Sequence, residues 1–202
     1  MLTAQTSFQF RSHGGRRRGA GRPRTGRVSH SARPRFARPT PVHVTLRVLE
    51  DVWNLRSHRC YRRIERCFAA ALGRFGLRLI EFSVQGNHLH LIVEADDDDA
   101  LTRGIQGLSI RIAKALNSLM NRKGRLFADH YHAHLLRTPT ELVNAIRYVL
   151  ENHARHFGTA GDDAFNSAGL ADAARRIVLA VPVSWLLRVG RFRARPKRDV
   201  TA

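Results

Sequence analysis

The residues best equipped for chemistry are histidines, and two of them stand in the run His88-Leu89-His90. On an extended strand alternate side chains share a face roughly 7 Å apart, so two imidazoles can converge on one ion while Leu89 and Leu91 turn to a core. A His-x-His pair also arises by chance in a chain with 11 histidines, so its surroundings have to decide. His43, Thr45 and Arg47 form the polar side of a run whose other side is Val42, Val44 and Leu46. His130, His132 and His134 alternate in the same way against Tyr131, Ala133 and Leu135, either on the same surface or on a solvated edge strand. A sheet face crowded with His and Arg makes a poor core and a suitable bed for a metal and a phosphate; His43 and His132 are candidates to line it. The other group of interest is Tyr148. Plotted at about 100° per residue, Leu142, Ala145, Ile146, Val149, Leu150 and Phe157 fall on one side of a helix, and His153 falls with them as a packing residue. Tyr148 and Asn152 lie off that stripe, one turn apart and roughly 6 Å from each other. The bland alternative is a surface tyrosine, or one packed under the C-terminal segment.

The elements that must position these groups are legible from periodicity. A strand over Val42–Arg47 precedes a helix from about Ser57, whose stripe is Cys60, Tyr61, Ile64, Cys67, Phe68, Ala71, Leu72 and Phe75, closed by Gly76. Two strand-like runs, 78–84 and 88–95, flank Gln85-Gly86-Asn87, which is good hairpin chemistry. Leu101, Ile105, Leu108, Ile112, Leu116 and Leu119 mark a second helix, and Asp96–Asp99 read as its cap and dipole complement rather than as metal ligands. A fourth strand around 128–137 leads to a third helix that opens on the capping box Thr138–Glu141 with Pro139 at its first position and ends near Gly158. The order β-α-β-β-α-β-α predicts an α+β fold, a ferredoxin-like βαββαβ sandwich with an added C-terminal helix carrying Tyr148. Helices should cover one sheet face and leave the other for ligands.

Composition bounds the partners. Formal charge is +19 with a pI near 11.7, far beyond what solubility requires, so the expected partner is a polyanion, nucleic acid before membrane. A GC-rich genome would supply part of that arginine bias. Residues 1–40 hold ten arginines and no acidic residue, and read as a disordered basic arm in which Arg16, Arg17, Arg18, Arg22 and Arg24 touch phosphates. Gly21-Arg22-Pro23-Arg24 also resembles a minor-groove AT-hook. Arg47, Arg111 and Lys114 are further candidates for DNA contact, although a solvated face explains the last two equally well. Residues 41–158 form the expected catalytic domain. Residues 159–202 form an extension with a helical piece at 171–180, a docking cluster of Trp185, Leu186 and Leu187, and a basic tail. No apolar run suits a membrane span, and Cys60 and Cys67 share one helix stripe as packing residues, so a reducing cytoplasm is expected.

In combination these motifs resemble the single-tyrosine HUH transposases, and within them the REP-associated branch. The match rests on Gly86-Asn87-His88-Leu89-His90, Tyr148 with Asn152, the stretch Gly124-Arg125-Leu126-Phe127, Tyr131-His132 and Arg137, and it spans about residues 41–158. The chain departs from it where many relatives have Trp-Gln at Leu126-Phe127 and Asn-Pro at Asn152-His153. The resemblance implies a nuclease and strand transferase acting on single-stranded or hairpin DNA through a 5′-phosphotyrosine, in a bacterial, nucleoid-associated protein. It implies that Tyr148 is the nucleophile, that His88 and His90 bind metal and that Asn152 completes the ligand set. Some relatives supply the tyrosine helix across a homodimer and others act alone.

Such a mechanism is chemically coherent. Free phenols ionise near pH 10, so attack on a phosphodiester needs proton removal or a more electrophilic phosphorus, and a divalent ion on a non-bridging oxygen gives the second. Esterification conserves the phosphate bond energy, in keeping with the lack of a Walker-type Gly-rich loop. Two imidazoles would suit zinc, but the open, oxygen-rich sphere that catalysis needs favours magnesium or manganese. The competing reading is a non-catalytic nucleic-acid-binding protein derived from a transposase. RNA-binding modules of this fold stack bases on sheet aromatics, which a histidine-rich face does not offer, and a structural zinc protein would need four closed ligands.

Overall fold

The computed structural model describes residues 35–157 and 163–194, with the backbone alone for 153–157. Strand β1 (Thr40–Arg47) is followed by helix α1 (His58–Ala71), the hairpin β2 (Leu77–Val84) and β3 (His88–Ala95), helix α2 (Asp98–Leu119), strand β4 (His132–Leu135) and helix α3 (Pro139–Phe157). Two short helices, α4 (Asp172–Val178) and α5 (Trp185–Arg188), and a 3-10 turn at Gly190–Arg193 complete the order. The sheet runs β2-β3-β1-β4 with every pair antiparallel, as a ferredoxin-like split βαβ unit requires. Arg16, Arg17, Arg18, Arg22 and Arg24 lie outside the described residues, as do the arm before residue 35 and the side chain of His153. Among the described residues no helix is long and apolar enough to cross a membrane.

Alternation builds the main core. Val42, Val44 and Leu46 of β1 and Leu89, Leu91 and Val93 of β3 turn to one face, where Ile64 and Phe68 of α1 and Ile105, Ile112 and Leu116 of α2 bury them. Helix starts are capped as their sequences suggest. Ser57 accepts from Cys60 N, Asp97 Oδ1 accepts from Ala100 N at 2.6 Å, and Thr138 and Glu141 accept from each other's backbone N–H. The α1 stripe is shorter than its periodicity suggests. The helix stops at Ala71 because Gly73, Phe75 and Gly76 take positive φ, and Leu72 and Phe75 are consequently exposed. Strand β4 is also shorter than expected. Phe127 bridges Val48 and Ala128 N reaches Arg47 O, but Asp129 turns its carboxylate onto His130 N, and regular pairing resumes only at His132.

The second sheet face is not bare, contrary to the sequence expectation. Ile80, Ile92 and Leu136 meet Leu142 and Val149 of α3 and Leu187 of α5 in a separate apolar cluster. Half of that face is therefore core, and the imidazoles hold the other half. Ile80 reaches this side by alternation after Leu79, and a bulge between Leu79 and Glu81 then shifts the parity so that Phe82 regains the main core. Residues 163–184 run back along β2. Val84 N donates to Phe165 O, Ser167 N to Phe82 O, and Ala180 N to Leu79 O. Arg56 grips Asp163 with two hydrogen bonds of 2.7 and 2.9 Å. The docking cluster is only partly as expected: Leu187 is fully buried and Leu186 packs beside it, whereas Trp185 stays 54% exposed.

Glu94 is the anchor of this C-terminal segment. Its carboxylate is fully buried and accepts from Val183 N and Ser184 N, both at 2.8 Å, with Arg78 Nη1 3.5 Å away. Glu94→Ala leaves two backbone donors and a cation without their acceptor, so it should lower stability by about 2–4 kcal/mol in urea unfolding. A loss below about 0.5 kcal/mol would mean that the segment is not held there.

Candidate active site

Strand register assembles the site. In β1–β3 pairing Thr45 stands opposite His90 and Arg47 opposite His88, and across β1 the pairs are His43 with His134 and Thr45 with His132. Period two then puts His43, Thr45, Arg47, His88, His90, His132 and His134 on the side that α3 partly covers. His132 and His134 are exposed at the edge, and His130, outside β4, is exposed as well.

The two central imidazoles are oriented by their neighbours. Asn87 Oδ1 can only accept, so His88 Nδ1, 2.8 Å away, carries the proton and Nε2 keeps its lone pair. His88 Nε2 faces His90 Nε2 at 3.0 Å, while His90 Nδ1 meets Thr45 Oγ1 at 3.3 Å and His43 Nε2 at 3.2 Å. With His88 protonated at Nδ1, His90 Nε2–H donates to His88 Nε2. An ion in that place requires the proton on His90 Nδ1, where Thr45 and His43 stand ready to accept it. Burial, above all, pushes His90 down to about 3, with His88 and His43 adding to the effect. Burial likewise lowers His43 to about 4, reinforced by His134 and His132. Both rings are thus neutral at pH 7, the form that binds metal.

Among the described residues no three His, Cys, Asp or Glu side chains converge as a metal site. An ion here would rest on two imidazoles, amide oxygens and water. His88 and His90 would supply the nitrogen ligands, and their Nε2 atoms already face each other.

Helix α3 brings Tyr148 over this pair. Its ring lies 5.2 Å from that of His90 and 5.9 Å from that of His43, edge-on to both. The phenol is 43% exposed and so open to a large substrate. Asn152, one turn on, is buried, and with His88, Tyr148, Asn54, Gln85 and Asn87 it lines a pocket of about 730 Å3. One chain alone therefore gathers Tyr148, His88, His90 and Asn152. Of these lining residues Asn54 was not singled out from sequence, Gln85 was read only as part of a turn, and Asn87 was read as part of that turn and of the motif leading into His88. A glutamine is no turn former, and that was the available signal. Gln85 is buried and donates to Ser83 Oγ at 2.7 Å.

Other candidates separate from the site. Arg47 is exposed at its rim, opposite His88. Arg111 and Lys114 belong to α2, which packs on the sheet face opposite the imidazoles.

Comparison with known proteins bears on what such a site serves. A family model described as "Transposase IS200 like" matches residues 41–152, more than half of the chain. The structure of a REP-associated tyrosine transposase bound to a REP hairpin is similar over 78% of this chain and 94% of that one, with a TM-score of 0.60 and 15% identity, a likeness of fold. A Deinococcus radiodurans R1 protein described as a candidate transposase matches more loosely, with a TM-score of 0.41 at 13% identity over 57% of this chain and 90% of its own. No curated protein matches the sequence.

The depressed imidazoles fix a pH response in chelator-treated protein. Below pH 6.5 the unfolded chain protonates His43 and His90 and the folded chain does not, so stability is full above about 6.5 and declines as pH falls through 4 and 3. Urea midpoints between pH 7 and 4 should drop, and His90→Asn should flatten the slope. An unchanged slope in that variant would contradict a desolvated His90.

Proposed function

The chain belongs to the IS200-like transposase family, and from that premise we propose that it cleaves and rejoins single-stranded DNA through a transient ester on Tyr148. The observation that carries this reading is the edge-on approach of Tyr148 to His90, in a chain that also sets His88 and Asn152 in one pocket with the phenol. The phenol oxygen attacks phosphorus, the P–O3′ bond breaks, and the products are a 5′-phosphotyrosine and a free 3′-hydroxyl. The phenolic proton leaves to water and the departing 3′ oxygen takes one up. Attack by a second 3′-hydroxyl reverses the sequence, joins the strands and restores Tyr148, with no nucleotide hydrolysed.

His88 and His90 would hold a magnesium or manganese ion with Asn152. An ion held there would draw charge from a non-bridging phosphate oxygen and make phosphorus more electrophilic. Asn87 and Thr45 keep the two rings in register for that task. Arg47 at the rim offers a charge-assisted hydrogen bond to an adjacent phosphate. Hairpin DNA is the favoured substrate class, since the similar solved transposase is itself bound to a REP hairpin.

Incubation with single-stranded oligonucleotides and manganese should yield a DNA-shifted protein band on denaturing gels. Tyr148→Phe should abolish the band while leaving DNA affinity within about twofold, because only a hydroxyl is lost. His88→Ala and His90→Ala should each reduce it by about a hundredfold or more, and chelation should remove it until manganese returns. Tight DNA binding without any band in the unaltered protein would instead favour a non-catalytic DNA-binding role.

A further inference from the structure

Away from the imidazoles, a groove of about 990 Å3 separates the chain entering β1 from the start of α5. Arg35, Arg38 and Arg137 line it, all three are exposed, and no acidic side chain is among its lining residues. Trp185 forms part of its wall with just over half of its surface open. An indole in water is a poor place to leave apolar area unless something covers it.

The indole is also held in place. Glu94 fixes the backbone of Val183 and Ser184, and Leu187 is buried two residues further on. Gly190 presses against the ring so closely that a Cβ there would come within 2.8 Å of it, and the Arg193 guanidinium lies 5.9 Å from its centroid. The opposite wall is fixed too: Phe36 packs on the main core and its carbonyl accepts from Asp98 N. A rigid aromatic plate among arginines is the usual platform for an unpaired base, sequence-tolerant because every base has a π face.

We propose that this groove binds a single-stranded DNA segment flanking the cleaved phosphate, with one base stacked on Trp185 and its phosphates on Arg38 and Arg137. The proposal rests on the reading of Tyr148 as the DNA-attacking group. Position supports it. Pro41 borders the groove, and Thr45, opposite His90, is four residues along the same strand, about 13 Å away. A few nucleotides span that distance.

The test uses the full chain with Trp53→Phe, which leaves Trp185 as the only indole. Titration with a dT oligonucleotide should quench its fluorescence. In unaltered protein Trp185→Ala should weaken oligonucleotide binding about tenfold, with the melting temperature unchanged because Leu187 keeps the dock. Arg38→Ala and Arg137→Ala should each flatten the plot of log affinity against log salt by about 0.7. Binding unaffected by all three substitutions, or quenching by duplex but not by single strands, overturns the groove assignment. Loss of the covalent band with these binding effects intact would count against the role of Tyr148 and leave the groove standing.

Discussion

The rotation of α3 about its own axis is the constraint on which the site depends. Leu142 and Val149, two turns apart, are both fully buried against Ile92 and Leu136. Each such burial contributes about 1.5–3 kcal/mol, and a helix can satisfy both contacts in only one rotational setting. Tyr148 precedes Val149 by one residue and so must stand about 100° around the helix from it, over the imidazoles rather than over solvent or core. The apolar cluster is therefore the device that aims the phenol.

The same sheet surface is divided between packing and chemistry at very short range. Along β3, Ile92 belongs to the cluster while His90 and His88, the next two positions on that face, belong to the site. This proximity desolvates His90 and His43 and keeps both uncharged. A neutral imidazole has a lone pair to offer and does not repel a second cation. The burial that stabilises α3 and the protonation state suited to a metal thus have one cause.

Much of this was readable in the sequence because alternation and helical periodicity are strong where burial is one-sided. Val42–Val44–Leu46 against His43–Thr45–Arg47 gave both the strand and its polar face, and Tyr148 was visible as an aromatic off the stripe of its helix. What stayed hidden depends on non-local pairing. Nothing in the sequence near Ile80 announces the bulge that returns Phe82 to the main core. The burial of Glu94 was equally hidden, since its acceptors' partners, Val183 and Ser184, lie some ninety residues downstream. Leu72 and Phe75 misled because they keep the α1 period after the backbone has left the helix. Gln85 was read only as a turn residue, because such a residue is judged by its backbone, while its side chain is buried and lines the pocket.

The course of residues 163–180 along β2 leaves the sheet with unequal flanks. On that flank the carbonyls of Phe82 and Leu79 and the N–H of Val84 are already taken. A stray strand, from a neighbouring molecule or a partly unfolded one, finds no free ladder there. Strand β4 closes the other flank with only four regularly paired residues, two of them exposed histidines. Lateral self-stacking into long fibrils needs two open margins per molecule, and this arrangement supplies at most one, so any sheet-to-sheet association would end at a pair.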